Sequence, residues 1–270
     1  MASFAAKRRR RRAHGDADLA RSVALLGDPA RAAMLMALLG GEEHSISELA
    51  EVAGVQLPTA SEHVAALRSA TFVEVETRGR VRYVRLVRTD VVEALEALTR
   101  IAPSQPVRTL SGSDRQAALH AARLCYDHLA GELGVELFAS FVDAGALEPP
   151  LRQVGVRKVH GGLGDVALGT NAREVFGRLH IDLERVQTTT RRFAIACLDW
   201  SHNRPHLGGA LGAEVAQTFF RQAWIERTIT PRIVCLTAAG RASLGAHFSR
   251  SSSSALRDDA IWRVSAYPSR

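Results

Sequence analysis

Hydrophobic positions in the first third of the chain fall mostly at helical spacing. Leu19, Val23 and Leu26 form one stripe, and Ala32, Met34, Leu35, Leu38 and Leu39 form a second. These predict helices over 16–26 and 29–39. Asp28-Pro29 opens the second helix, with an acid at the cap and a proline whose φ already suits a first turn. Ile46, Leu49, Val52 and Val55 predict a third helix. Ser45 or Ser47 can cap it, and Gly54 can end it in a left-handed conformation. Pro58 suits the first position of a fourth helix over 59–70, with Ala60, Val64 and Leu67 inward. The period then changes. Phe72–Glu76 and Val81–Val87 are β-rich runs joined by Thr77-Arg78-Gly79-Arg80, a hairpin signal. A last helix over Thr89–Ile101 carries Val91, Val92, Leu95, Leu98 and Ile101, with Thr89 or Asp90 at its cap.

This order is a helix-turn-helix followed by a two-stranded wing. Such a unit lays its second helix in the major groove, where base edges carry a distinct donor and acceptor pattern. Gln56, Thr59, Ser61 and His63 are the candidate groove contacts, with Glu62 able to accept from cytosine. Arg68, Arg78, Arg80 and Arg82 are candidates for phosphates or the minor groove.

At these residues the sequence resembles the ArsR-type winged helix-turn-helix regulators of bacteria. That family's Ser-His-His-Leu pattern stands here as Ser61-Glu62-His63-Val64. Its Arg-Gly-Arg wing followed by an aromatic stands as Arg78-Gly79-Arg80-Val81-Arg82-Tyr83, and its Asp-Pro-x-Arg helix start as Asp28-Pro29-Ala30-Arg31. The resemblance runs from Asp18 to Ile101. It implies a homodimer in which the first and last helices of the unit form the interface. It also implies where metal sensors of the family carry ligands, and those positions lack them here. The third helix reads Glu48-Leu49-Ala50-Glu51-Val52-Ala53-Gly54, without thiolates, and no histidine follows Asp90 on the last helix. Soft metals need thiolate or imidazole donors, so neither usual metal site is expected, and no cofactor is.

Charge narrows the origin of any DNA affinity. The chain carries a net charge of +7. Residues 1–102 hold 15 Lys/Arg and 13 Asp/Glu, but Lys7–Arg12 supply six of those positives. Without that arm the unit is slightly acidic, so affinity must come from where the arginines stand. The arm is expected to be disordered alone, and it can follow phosphates or enter a minor groove. No apolar run approaches the ~20 residues of a membrane span. Three widely spaced cysteines form no disulfide framework or zinc-finger spacing, which fits a reducing cytoplasm.

Ala102–Asp114, with two prolines, three serines and a glycine, reads as a linker. Beyond it the chain resembles itself. His128-Leu-Ala-Gly-Glu-Leu-Gly-Val-Glu-Leu137 matches His206-Leu-Gly-Gly-Ala-Leu-Gly-Ala-Glu-Val215, preceded by Cys125-Tyr-Asp127 and Cys197-Leu-Asp199. The copies end in Leu168–Phe176 and Leu236–Leu244, the second starting Leu-Thr-Ala-Ala-Gly-Arg, where threonine caps a helix. Each copy reads as helix, Gly-rich turn, helix, short strands, helix, a degenerate winged-helix-like repeat. The pattern resembles a longer subset of ArsR-type regulators with an added C-terminal domain.

Three readings of this part stand side by side: an effector or protein-contact domain, a metal or thiol switch, and a scaffold. The switch would use Cys125, His128, Cys197, His202 and His206. In the scaffold reading the cysteines are small core residues, Asp127 and Asp199 cap turns, and His128 and His206 start helices. Cys235, in Ile233–Leu236, reads as a core strand residue. His160-Gly-Gly-Leu-Gly-Asp165 lacks a phosphate-loop frame and reads as a wing or turn. No GxSxG frame occurs, and no enzyme is expected. The Ser251–Ser254 run precedes a tail in which Ile261, Trp262, Val264 and Tyr267 can add a strand or dock on the core.

The expected fold class is thus mainly α with small β-wings (α+β). It comprises a basic arm over 1–15, a DNA-binding and dimerisation unit over 16–101, a linker over 102–114, and a duplicated part over 115–270. The expected function is a cytoplasmic, dimeric transcriptional repressor on double-stranded DNA with an inverted-repeat operator, its C-terminal domain biasing DNA binding in response to an effector of unknown identity, for which a small molecule is one candidate. A protein-interaction or architectural module is the alternative.

Overall fold

The computed structural model describes residues 19–87, 89–102, 110–148 and 162–248. The Lys7–Arg12 arm, most of the expected linker, and the serine run with its tail lie outside them. Among the described residues no helix is long and apolar enough to cross a membrane.

The N-terminal part follows the predicted order: α1 (Leu19–Leu26), α2 (Pro29–Leu38), β1 (His44–Ser45), α3 (Ile46–Ala53), α4 (Leu57–Ser69), β2 (Val73–Arg78), β3 (Val81–Leu86) and α5 (Thr89–Ile101). The caps have the expected chemistry. Asp28 accepts from the Arg31 N–H at 2.9 Å. Ser45 and Glu48 form a reciprocal capping box, and Gly54 closes α3 at φ 64°. β1, β3 and β2 form an antiparallel sheet in that order. β1 was not foreseen, and the wing is tighter than predicted. Arg78 pairs with Val81, so only Gly79-Arg80 makes the turn. Met34, Leu35, Leu38, Leu49, Val64, Leu67 and Val84 form the core between helices and sheet.

The C-terminal part begins with α6 (Leu110–Ala121), β4 (Arg123–Cys125), β5 (His128–Ala130) and α7 (Gly131–Asp143). β6 (Leu147–Glu148), β7 (Gly162–Asp165), β8 (Ala167–Leu168), α8 (Ala172–Arg178) and α9 (Leu183–Gln187) follow. The chain continues through β9 (Ile195–Leu198), β10 (Pro205–Gly208), α10 (Gly209–Arg221), β11 (Ile225–Arg227), β12 (Val234–Leu236) and α11 (Ala238–His247). Its core is larger and richer in aromatics, centred on Phe141, Phe176 and Phe219. Thr237 caps α11 through the Gly240 N–H at 3.0 Å, as expected.

Three expectations need correction. His128 and His206 do not start helices. Each lies in the second strand of a hairpin, and the helix begins only at a glycine of positive φ, Gly131 (74°) or Gly209 (78°). That conformation is strained for a residue with a Cβ, so the glycine sets the boundary between strand and helix. The glycine-rich Gly162–Asp165 is not a turn but a strand, bulged and paired with β9. Cys235 lies in β12 as predicted, yet it is only partly buried.

The two parts touch. The Tyr126 N–H, in the β4–β5 turn, donates to the Leu39 carbonyl at 2.6 Å. Arg232 pairs with Glu96 of α5 at 2.5 Å, both buried, and also donates to the Leu124 carbonyl. Arg227 pairs with Glu42 at 3.1 Å.

Candidate nucleic-acid interface and a buried thiol–imidazole cluster

α4 presents its first turn to solvent. Gln56, at its N-cap, makes no capping hydrogen bond there, and Gln56, Thr59 and Glu62 are exposed. Ser61 and His63 are half-buried. The Ser61 hydroxyl donates to the Leu57 carbonyl at 3.0 Å and accepts from Arg82 at 3.1 Å. A wing arginine is thereby laid against the recognition helix. His63 is already engaged, with Nδ1 3.3 Å from Arg31 and Nε2 3.9 Å from Asp28. It ties α4 to the start of α2, and of the groove candidates it is the least available to a base.

The arginines differ too. Arg78 pairs with Glu43 and Glu76, each at 2.7 Å, and lies over the Tyr83 ring. The hydrogen bonds that it donates to Glu76 and then Glu43 push its guanidinium pKa upward. Arg80, at the wing tip, and Arg68, in the last turn of α4, are exposed. The surface therefore offers Arg68, Arg80 and Arg82 to phosphates, while Arg78 braces the wing against the loop before β1.

The dimer expectation falls on α1 and α5. Val91, Val92 and Leu95 are buried in the N-terminal core. Val23, Leu98 and Ile101 remain open, Ile101 at 78% exposure. α5 thus has one face in its own core, Glu96 held by the C-terminal part, and an apolar remainder uncovered.

A second constellation lies inside the C-terminal part. β4 pairs with β5 so that Cys125 stands opposite His128, and β9 pairs with β10 so that Cys197 stands opposite His206. The two hairpins meet, and one donor atom from each of these four residues lies within 4.8 Å of all the others. The His128 and His206 rings stack at 5.1 Å. The approach depends on helix positions without a Cβ. A methyl at Gly134 would strike the Leu129 carbonyl and press on His206, and one at Gly212 would strike the Leu207 carbonyl and press on His128. His202, the fifth candidate, is not in this group. It sits with Ser201 and Asp199 and meets the His120 ring edge-on.

Each clustered histidine has an aspartate behind it. His128 Nδ1 is 3.3 Å from Asp127, and His206 Nδ1 is 3.5 Å from Asp199. Arg191 holds Asp127 at 2.5 Å. Asp199 takes Arg123 at 2.8 Å, the Gly131 N–H at 2.7 Å, and the Ser201 hydroxyl and N–H. Arg123 and Asp199 are both 0% exposed, and the Trp200 ring covers the guanidinium. Burial would raise the Asp199 carboxyl, but hydrogen bonds from His202 and Ser201 and the charge of Arg123 hold it far below the usual range. The Cys197 side chain beside it, and then burial, push the Cys125 thiol up. Burial works against protonation of His128, whereas the neighbouring Cys125 and Asp127 side chains favour it, and the balance is upward. No sequence pattern pointed to Arg123 as the partner of Asp199, although a lone arginine in Ala121-Ala122-Arg123-Leu124-Cys125 was a visible oddity.

Known proteins place this architecture. The helix-turn-helix domain family matches residues 26–76, which span α2 to β2. The HTH-type transcriptional regulator YdfF of Bacillus subtilis is 35% identical over 230 residues, covering 85% of this chain and 96% of that protein. So long a match reaches far past the helix-turn-helix into the C-terminal part. Among solved structures, the transcriptional repressor BigR of Xylella fastidiosa is 27% identical, with a TM-score of 0.29, over 32% of this chain and 87% of its own. The homodimeric winged helix-turn-helix domain of Mb0332 from Mycobacterium bovis is 30% identical, with a TM-score of 0.26, over 30% of this chain and 74% of its own. With a reading helix, an arginine wing and a relative aligned along nearly its whole length, the chain belongs to the ArsR-type winged helix-turn-helix transcriptional regulators, and it carries a C-terminal extension.

Proposed function

We propose that this regulator is a cytoplasmic homodimeric repressor that reads an inverted-repeat operator, and that its C-terminal part biases DNA binding. The observation that carries the reading is the Arg82–Ser61 contact, which joins the wing to the exposed first turn of α4. In it, Gln56, Thr59, Ser61 and Glu62 address base edges, while Arg68, Arg80 and Arg82 address phosphates. The uncovered Val23, Leu98 and Ile101 support dimerisation through α1 and α5, because an open apolar stripe favours a partner. Two reading helices then stand about one DNA turn, ~34 Å, apart.

The unit over 16–101 binds DNA and dimerises, and the part over 115–270 is a duplicated unit. Hairpin–helix segments with matching glycines and matching Cys–His registers support the duplication. Because the C-terminal part grips Leu39 and Glu96, a shift there acts on α2 and the dimer helix together.

Gel shifts on fragments from the protein's own promoter region, combined with sedimentation, test this reading. A dimer should protect a two-fold symmetric site. A monomer with no preferred sequence would leave an architectural role instead.

A further inference from the structure

We propose that Cys125, His128, Cys197 and His206 bind one divalent transition-metal ion of the zinc class in a tetrahedral Cys2His2 site. Two thiolates and two imidazoles are the donors such ions favour, and magnesium or calcium would want oxygen. Zinc's usual bond lengths imply a tetrahedron with edges of ~3.3–3.8 Å. Donors already within 4.8 Å of one another need only a small inward shift.

Two further observations point to a ligand rather than to packing. The Nε2 atoms of His128 and His206 are buried without a hydrogen-bond partner. Buried polar atoms of this kind are rarely left alone. The opposite ring nitrogens, Nδ1, face Asp127 and Asp199. A carboxylate at one imidazole nitrogen fixes the tautomer and aims the other nitrogen at a metal. Here a carboxylate stands at Nδ1 of both rings, hydrogen-bonded to His128 at 3.3 Å and 3.5 Å from His206, and each carboxylate is itself held by an arginine.

A Cys125–Cys197 disulfide is the competing occupant of this space. It would leave both Nε2 atoms as they are, whereas a metal satisfies all four residues. On binding, each thiol gives its proton to solvent and forms a sulfur–metal bond, His128 sheds any second ring proton to solvent so that Nε2 can donate, and no electron is transferred. The two thiolates balance the ion's charge, so the filled site adds no net charge to the interior.

The test uses reduced, full-length protein stripped with a chelator and titrated with Co2+. One equivalent per chain should give the intense visible bands of a tetrahedral site together with a thiolate-to-cobalt charge-transfer band, and Zn2+ should erase both. Cys197→Ser and His206→Gln should lose the spectrum, while His202→Ala should keep it. Asp127→Asn should weaken affinity ~10–100-fold while keeping the spectrum. Should the ligand variants fail to fold, wild type decides alone. Zinc must then shield two of its three thiols from a thiol reagent, slowing them about tenfold or more. Cobalt that stays octahedral, a charge-transfer band that survives Cys125→Ser and Cys197→Ser, thiols that zinc leaves unshielded, or a Cys125–Cys197 disulfide in the reduced preparation would each overturn the site.

Discussion

The N-terminal and C-terminal parts handle polar chemistry in opposite ways. In the N-terminal part the ion pairs are at the surface: Arg78 and Arg85 are half exposed, and so are Glu76 and Glu74. Such pairs contribute little to stability, since water already solvates the charges. Beside them Arg68, Arg80 and Arg82 stand exposed, open to a polyanion. The C-terminal part has exposed pairs too, such as Arg173–Glu184, but it also encloses charge: Arg123 and Asp199 are fully buried and His206 is 1% exposed. Enclosed charges are costly to leave unmatched. One part keeps its ion pairs at the surface, and the other also holds a charged pair in its interior.

The largest break in that contrast should come from Asp199→Ala. It strands a buried guanidinium and the Gly131 N–H, and is expected to cost ~3–5 kcal/mol in urea unfolding. A loss below ~1 kcal/mol would show that the interior does not depend on the pair. Gly212→Ala comes next. Its methyl must push the Leu207 carbonyl and His128 aside, for ~1–3 kcal/mol. Ser45→Ala removes one half of the capping box and should lower stability by ~1 kcal/mol.

Arg80→Ala is the mildest for the fold, within ~0.5 kcal/mol. It should nevertheless weaken binding to all DNA sequences and reduce the salt slope by about one phosphate contact per protomer. An unchanged slope would remove Arg80 from the interface. His63→Ala sharpens the comparison, because His63 belongs to both sides. It should soften the α2–α4 junction as well as alter DNA binding, whereas Thr59→Ala should touch DNA binding only.

The same contrast explains what the sequence made legible. Helices α2 to α5 depend on local signals: stripes at helical spacing, Asp28-Pro29, the Ser45–Glu48 box and Gly54. Each acts within a few residues, so a linear reading reaches it. The C-terminal cluster depends on two hairpins that are neighbours only after folding. Repetition showed that Cys125 and Cys197 occupy equivalent places, but not that they meet. The scaffold reading of His128 and His206 as helix starts fails because the glycine that delays each helix lies three residues later. His202 was grouped with them by sequence proximity, although the loop after Asp199 turns it toward Ser201 and His120. The Arg123–Asp199 pair spans 76 positions and has no local signature.

The Tyr126 turn joins these two worlds. It is flanked by Cys125 and His128, and its own N–H is bonded to Leu39 at the end of α2. Gly41, at φ 73°, is kept bare there, since a Cβ would sit 2.6 Å from the Tyr126 carbonyl. A connection this short works in both directions. If an occupant of the hairpins alters operator affinity by some factor, the operator must alter the occupant's affinity by the same factor. Promoter DNA would then tune the occupancy of the hairpins, with the Tyr126 N–H as one of the links that carry the effect.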